Sequence, residues 1–336
     1  MTKILITGAT GYLAGHCIAE LLASGYSVRG TVRNVGTADV AHLHAIVDRV
    51  GGDLEFVQAD MARDTGWAEA VEGCDYVWHV ASPFPVGVPK HEDEVVKPAV
   101  EGTLRVLRAV KASGTVKRVV MTSSGLAVLS GRKEERVFTE EDWGSSTDPW
   151  LYARSKTLAE KAAWDFAGES GLELAVINPG SILGPLMRAE TGNSVEIIGR
   201  LMRSDLPAVP NVGWNVVDVR DLAHLHLLAM ETPSAAGNRY IAGDEFMWAR
   251  DMAHLLADRY GARGYRVPTR AMPYALMWTI SRFQPSVRPA LGFWGQRDQV
   301  TGEKARKELG WTSRPAAETV LDTAESMIEL GLVPRR

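Results

Sequence analysis

The sequence predicts an α/β protein in which a doubly wound parallel sheet carries a smaller, discontinuous substrate-binding lobe. Short β-branched segments alternate with segments of helix length through the first half of the chain, and such alternation builds right-handed βαβ units. The 336 residues exceed what one hydrophobic core usually holds. The alternation stops near Pro185 and resumes near residue 214, which indicates an inserted lobe.

Taken in order, the elements support this prediction. The strands are predicted at KILIT, SVRGTVR, LEFVQ, YVWHVA, VKRVVMTSS and ELAVINPG, which gives at least six parallel strands. The helices between them are predicted at YLAGHCIAELLASG, near 38–50, at EVVKPAVEGTLRVLRAVKASG and at LYARSKTLAEKAAWDFAGESG. VVDVRDLAHLHLLAM then predicts a strand and a helix, and RYIAG a further strand. We assign residues 1–185 with 214–243 to the sheet domain and 186–213 with 244–336 to a mainly helical lobe.

Composition argues against several classes of function. The formal net charge is −4 and no long basic run occurs, so the surface that nucleic acids require is missing. The chain enters its first strand directly after Lys3 and has no uncharged stretch of membrane-spanning length, which predicts a cytoplasmic protein that does not bind membranes. Cys17 and Cys74, in a predicted helix and before a predicted strand, suit a reduced compartment.

A glycine-rich turn joins the first strand to the first helix. In ITGATGYLAG, Gly8 permits a tight turn, Gly11 lets the backbone approach a diphosphate, and Ala14 allows close packing of helix on strand. The helix N-terminus then offers its amides to the anion, so Thr10, Tyr12 and Leu13 are predicted cofactor contacts. A plain strand-to-helix turn is the alternative, but the position of the motif favours a dinucleotide site and a Rossmann-type sheet.

The second strand predicts which nicotinamide cofactor binds. NAD sites usually place an acidic residue at this strand end, whereas GTVRN ends in Arg33, whose guanidinium suits a 2′-phosphate, so NADP(H) is favoured. After the third strand, QADM offers Asp60 and Met61; the alternative for Asp60 is an N-cap of the next short helix. The end of the fourth strand offers further contacts at Val80, Ala81 and Ser82.

Tyr152 and Lys156 are the candidates for the reacting centre. They are four residues apart in a predicted helix and so share one face. The strand before them ends in Ser123 and Ser124, at the sheet edge where ligands of open α/β sheets bind. Hydride arriving at a carbonyl carbon builds negative charge on oxygen, which a phenol can protonate. We expect Lys156 to lower the pKa of Tyr152 and to hold the ribose, while Ser124 orients the carbonyl; the serines could instead only cap the strand.

These segments together resemble a known family. TGATGYLAG, VRGTVRN, YVWHVASP, VVMTSSG, WLYARSKTLAEKAAW, INPGSILGP and VVDVRDLAHLH are similar to the extended short-chain dehydrogenase/reductases, in the branch of dihydroflavonol 4-reductases, cinnamoyl-CoA reductases and ketoreductases. The resemblance implies a catalytic set of Ser124, Tyr152 and Lys156. It also implies that INPG wraps the nicotinamide amide, which adds Pro179 and Ile182 to the cofactor contacts.

The chain departs from its branch at positions that bear on the substrate. The plant flavonoid enzymes have a substrate-binding asparagine after the serine, where this chain has Val128 and Leu129, so a polyphenol is disfavoured. The loop of the cinnamoyl-CoA reductases is not recognisable either, which favours aldehyde or ketone reduction over thioester reduction. Gly125 and Leu126 replace the acidic pair that sugar-nucleotide dehydratases carry.

The remaining predictions concern the pocket and possible metals. Phe84, Leu126 and Trp214 are predicted to line the substrate pocket, and Phe283, Phe293 and Trp294 could add to its wall. The pairs His42/His44 and His224/His226 lack the spacing of helical metal ligands, so no metal is expected; His79 is predicted to be a hydrogen-bonded core residue.

The sequence therefore predicts an NADPH-dependent enzyme that reduces a small-molecule aldehyde or ketone to an alcohol, as a monomer or homodimer. Two alternatives remain at this point. One is an NAD(P)-dependent sugar-nucleotide epimerase, and the other is a non-catalytic NADP-sensing regulator.

Overall fold

A computed structural model gives the fold and describes residues 1–82, 91–132, 134, 136–190, 192–243, 245–283 and 287–335. Its strands are β1 Lys3–Ile6, β2 Ser27–Val32, β3 Leu54–Gln58, β4 Tyr76–His79, β5 Arg118–Thr122, β6 Val137–Phe138, β7 Leu174–Pro179, β8 Ser181–Leu183, β9 Gly213–Asp218, β10 Arg239–Ala242, β11 Glu245–Trp248 and β12 Gln299–Val300.

Its α-helices are α1 Tyr12–Ala23, α2 Ala41–Val50, α3 Trp67–Val71, α4 Val96–Ser113, α5 Leu126–Leu129, α6 Leu151–Ser170, α7 Asn193–Met202, α8 Val219–Glu231, α9 Ala249–Tyr260, α10 Tyr274–Phe283, α11 Pro289–Gly292, α12 Glu303–Leu309 and α13 Ala316–Glu329. Short 3₁₀ turns occur at Glu92–Glu94, Pro233–Ala235 and Gly261–Arg263.

The central sheet has seven strands in the order β10-β7-β5-β4-β1-β2-β3, and every neighbouring pair is parallel. This confirms the predicted doubly wound, Rossmann-type sheet. The chain runs outward from β1 in one direction through β2 and β3, and in the other from β4 onward. The carboxyl ends of β1 and β4 therefore flank a topological switch point, where open α/β sheets bind their ligands.

Helices cover both faces of this sheet because successive strand residues point to opposite sides. In β1, Ile4 and Ile6 pack into a core with α1, α2 and α8, whereas Leu5 packs into the opposite core with α3, α4 and α6. β1 is thus buried on both faces of the sheet. Because it is packed on both sides, its carboxyl end at the switch point is held in place.

The lobe combines a second sheet, in the order β11-β9-β8, with helices. Its core brings together side chains of α7, α9 and α13, and includes Leu183 and Val216 of the sheet. The helix α7 lies in the 186–213 segment, which was assigned to the mainly helical lobe without a position for any helix. In contrast, α12 and Trp311 pack into the core shared with α1 and α8. The division of the chain into two domains stays a prediction.

Candidate active site

The turn between β1 and α1 is held against the neighbouring strands. Gly8 has a φ of +69°, a conformation that favours glycine, and its amide donates to Thr31 Oγ1 at 2.9 Å. A Cβ on Gly8 would lie 3.0 Å from that of Ala81, and one on Gly30 only 2.7 Å from that of Ala9. Glycine at both positions therefore lets the turn lie close to β2 and to the end of β4.

The N-terminus of α1 is open to a ligand. Gly11 is the N-cap and has no side chain, so the first-turn amides lack a side-chain cap. Such a terminus, at the carboxyl edge of a parallel sheet, can hold a diphosphate through those amides. The residues at this turn thus fit the dinucleotide that the sequence predicts.

A cleft of about 640 Å³ runs from this turn across the end of the sheet, and we call it the central cleft. It brings together most of the residues predicted from the sequence. Those that line it are Gly8, Thr10, Gly11, Tyr12, Leu13, Val80, Ala81, Ser82, Ser124, Leu126, Tyr152, Lys156, Pro179, Ile182 and Trp214. Phe84 lies outside the described residues.

Three predicted cofactor residues, Arg33, Asp60 and Met61, do not line the central cleft. Arg33 directly follows β2 and is exposed, with no hydrogen bond or ion pair to another described residue. Asp60 follows β3, the neighbour of β2, and its Oδ1 accepts from the Ala62 amide at 2.9 Å. Asp60 does not cap α3, whose N-cap is Gly66, so the capping alternative is wrong.

Met61 packs against the adjoining helix. A Cβ on Gly102 of α4 would lie 2.8 Å from Met61 Cε, and the Met61 carbonyl accepts from Arg105. These contacts give Met61 a packing role next to the strand ends. Its predicted cofactor contact stays a prediction.

Tyr152 and Lys156 lie in the first two turns of α6 and face the central cleft. Lys156 Nζ donates to Ser82 Oγ at 2.7 Å and lies 5.6 Å from the centre of the Tyr152 ring. Ser124 stands opposite, just after β5, with its Oγ accepting from the Leu126 amide at 3.2 Å. A phenol, an ammonium and a hydroxyl therefore share one cleft with the glycine turn.

Burial dominates the protonation of this pair. It raises the pKa of Tyr152 to about 12 and lowers that of Lys156 to about 8, although the Glu160 carboxylate acts to raise the latter. Burial is the cause of the raised pKa of Tyr152, and the expected lowering of this pKa by Lys156 stays a prediction.

A fully buried carboxylate supports these groups, and the sequence analysis missed it. Glu160, one turn beyond Lys156, accepts from Ser123 Oγ, from Asn178 Nδ2 at 2.7 Å and from Arg239 Nε at 2.6 Å. Asn178 also donates to the Ser124 carbonyl at 3.2 Å. The sequence signal for Glu160 was its position four residues after Lys156, on the same face of the helix. Ser123 is thus engaged with Glu160, while Ser124 borders the cleft.

Four large aromatic side chains other than the tyrosines line the central cleft, and we call them the aromatic wall: Trp150, Trp214, Phe246 and Phe293. Asp298 lines the same cleft. Of the other aromatic candidates, Phe283 is 82% exposed at the end of α10, and Trp294 makes an edge-to-face contact with Tyr274. Neither lines the cleft, because Phe283 faces outward and Trp294 packs against a separate apolar cluster that includes Met272 and Met277.

His79 is fully buried, with its Nδ1 3.0 Å from Thr7 Oγ1, which confirms the predicted hydrogen-bonded core residue. Among the described residues no group of three metal-ligating side chains occurs. Nor is any described helix both long enough and apolar enough to span a bilayer.

Comparisons with known proteins agree with this geometry. The family model described as "NAD dependent epimerase/dehydratase family" matches residues 4–243. The chain is 35% identical to dihydroflavonol 4-reductase of Zea mays over 98% of its own length and 90% of that protein. It is 31% identical to cinnamoyl-CoA reductase CAD2 of Medicago truncatula, over 97% and 95% of the two chains.

A solved structure extends the likeness to three dimensions. The yeast methylglyoxal/isovaleraldehyde reductase Gre2, complexed with NADPH, superposes with a TM-score of 0.80 at 27% identity, over 98% of this chain and 99% of that one. The likeness spans both the sheet and the lobe. The chain therefore belongs to the NAD dependent epimerase/dehydratase family, within the extended short-chain dehydrogenase/reductases that include the dihydroflavonol and cinnamoyl-CoA reductases.

Proposed function

We propose that this protein reduces an aldehyde or ketone to an alcohol with NADPH. The observation on which this depends is the convergence of Ser124, Tyr152 and Lys156 on the cleft that contains the Gly8–Gly11 turn. Three similar proteins support the same reaction: a dihydroflavonol 4-reductase, a cinnamoyl-CoA reductase and a methylglyoxal/isovaleraldehyde reductase complexed with NADPH. NADPH, when bound, supplies the hydride for the carbonyl carbon.

In this proposal each residue has one task. The Ser124 hydroxyl donates to the substrate carbonyl and so fixes its orientation. Tyr152 supplies the proton as negative charge develops on that oxygen. Its raised pKa keeps the phenol protonated at neutral pH, and an alkoxide is basic enough to take the proton. Lys156 provides a positive charge beside the phenol and hydrogen bonds for the ribose.

The cofactor preference rests on Arg33. Its exposed guanidinium follows β2 without a competing ion pair among the described residues, so it is available to a 2′-phosphate. A phosphate can accept two parallel hydrogen bonds from a guanidinium. The ribose hydroxyl of NADH cannot reproduce this interaction.

The first experiment measures NADPH oxidation with a panel of aldehydes and ketones, and repeats it with NADH. We expect turnover with NADPH that Tyr152→Phe reduces at least roughly 100-fold in kcat, because the phenol is the proton donor. Tyr274→Phe, at an exposed ring on α10, is the matched control and should retain full activity.

Near-normal rates in a folded Tyr152→Phe variant would contradict the proposed role of Tyr152. NADPH binding without oxidation of any panel member would contradict reductase activity and favour a nucleotide-sensing regulator. Interconversion of sugar-nucleotide epimers without net NADPH consumption would favour an epimerase.

A further inference from the structure

The aromatic wall of the central cleft starts at the proposed proton donor. The Trp150 ring lies 5.6 Å from that of Tyr152 and 5.4 Å from that of Phe293, measured between ring centres. Trp214 and Phe246 complete the wall. A substrate whose carbonyl reaches Tyr152 would therefore lay the rest of its body along these rings.

The lining of the central cleft also contains a carboxyl group. Asp298 is the single acidic side chain that lines the cleft in the described part of the chain. It is half-buried, and its side chain has no hydrogen bond or ion pair to any other described residue. Burial raises its pKa, and no neighbouring donor or cation offsets that effect.

Lys156 lines the same cleft as Asp298, and Arg297 precedes Asp298 in the sequence, but both cations have other contacts. Lys156 Nζ is bonded to Ser82. The guanidinium of Arg297, the neighbour of Asp298 in sequence, lies over the Phe246 ring at 5.8 Å. Asp298 thus remains available to a molecule in the cleft.

The backbone around Asp298 is held in place. Asn215 Nδ2 donates to the Asp298 carbonyl at 2.7 Å, and Asn215 Oδ1 accepts from the Val300 amide at 3.3 Å. The next residues, β12, pair with β6. The carboxyl group is therefore held at a defined position relative to the aromatic wall, as ligand recognition requires.

A partly desolvated acceptor without a partner lowers stability, and a ligand in the cleft that donates a hydrogen bond to it would offset that cost. We propose that Asp298 binds a hydrogen-bond donor, a hydroxyl or an ammonium group, at the end of the substrate opposite its carbonyl. The substrate class is then an apolar aldehyde or ketone with one distal donor. This inference rests on the proposed reductase function.

Neighbouring residues support an acceptor at this place. Near Ser124, Val128 is fully buried in the core and Leu129 contributes an apolar surface to the cleft. Neither of these side chains can bind a polar group of the substrate. Asp298 can, and it lies two residues before Val300, whose side chain packs in the same core cluster as Val128 and Leu129.

The test uses three ketones of nearly equal size: acetophenone with a para-ethyl, a para-hydroxymethyl or a para-aminomethyl group. kcat/KM with NADPH is measured for the full chain and for Asp298→Asn and Asp298→Leu. We expect the wild type to prefer the hydroxymethyl and aminomethyl ketones over the ethyl ketone by at least roughly tenfold, the size of one hydrogen bond to a charged group.

The two variants separate the kinds of donor. Asp298→Leu should abolish both preferences and favour the ethyl ketone. Asp298→Asn should lose the preference for the ammonium but keep most of that for the hydroxyl, because the amide oxygen still accepts a hydrogen bond. Asp258→Asn, at an exposed position of α9, is the control and should leave all three values unchanged.

The failures of the two proposals are distinguishable. Equal kcat/KM for the three ketones in the wild type, or the same ratios in Asp298→Leu, would overturn the role of Asp298 while leaving the reductase function intact. Failure of the wild type to reduce any carbonyl compound would instead overturn the reductase function itself.

Discussion

Arg33 stands at the end of β2 with an exposed guanidinium, and its environment makes its contribution to cofactor selection measurable. Arg33→Ser should raise the KM for NADPH roughly 10- to 100-fold, because a charge-assisted hydrogen bond to phosphate contributes about 1.5–3 kcal/mol. The KM for NADH should stay constant. Steady-state kinetics with both cofactors measure the effect, and Arg49→Ser on α2 controls for the loss of an exposed positive charge. An unchanged ratio of the KM values for NADPH and NADH would rule out this role of Arg33.

At the residue scale, local spacing predicted some side chains and not others. Tyr152 and Lys156 are one helical turn apart, so their common orientation follows from the helix itself. Asp298 is brought to the cleft by Asn215, which is 83 residues away in sequence. No local pattern encodes such a contact. The pKa of Tyr152 likewise depends on burial by groups from the whole cleft, which spacing does not reveal.

At the element scale, α6 links the proposed chemistry to a buried charge. Glu160 raises the pKa of Lys156, which burial alone would lower further. Activity that needs the Lys156 ammonium should fall as the pH rises through about 8. In Glu160→Gln the supporting charge is gone, so this alkaline limb should move to lower pH.

The measurement for Glu160 is the pH dependence of kcat/KM between neutral pH and the alkaline range. Glu169→Gln, exposed on the same helix, is the matched control and should keep the wild-type profile. A purely structural role for Glu160 would lower activity or thermal stability without moving the limb. An unmoved limb in a folded variant would therefore contradict the electrostatic role.

The elements themselves were predicted unevenly. Most strands of the central sheet are rich in apolar residues and alternate with helices along the chain, so their positions and parallel pairing could be predicted, although their order in the sheet was not. The strand β9 was predicted from the start of VVDVRDLAHLHLLAM, whereas β8 and β11 were not, because they are only three and four residues long and pair with β9 outside the central sheet. Helix α7 follows a segment rich in glycine and charges, which concealed its amphipathic period.

At the scale of the whole molecule, buried histidines make stability depend on pH. Burial lowers the pKa of His16, His79 and His226 to about 4, from 6.5 in the unfolded chain. Between these values the unfolded chain binds more protons than the folded one, so the free energy of unfolding decreases as the pH falls. Each histidine contributes a slope of up to about 1.4 kcal/mol per pH unit in this window.

Removal of one buried histidine should make the free energy of unfolding less dependent on pH. His226→Gln, compared with wild type by denaturant unfolding at pH 7 and pH 5, should lose less stability on acidification. Between pH 7 and pH 5, the free energy of unfolding should decrease by about 1–2 kcal/mol less in His226→Gln than in wild type, which is the contribution of one proton bound on unfolding. His254→Gln, at an exposed position of α9, should lose as much stability on acidification as wild type. An identical decrease in all three proteins would show that His226 does not titrate differently on unfolding.

The pairing of β12 with β6 has a consequence for which molecules the enzyme can use. This two-residue ladder ties the chain just after Asp298 to β6, and Val300 and Phe138 pack there with Val128 and Leu129. The backbone of Asp298 is therefore held at a set separation from the segment that follows Ser124. A substrate that binds both the Ser124 hydroxyl and the Asp298 carboxyl group would need a matching length, so shorter or longer molecules would be turned over poorly. Insertions in the loops beside β6 or β12 would change the preferred substrate length.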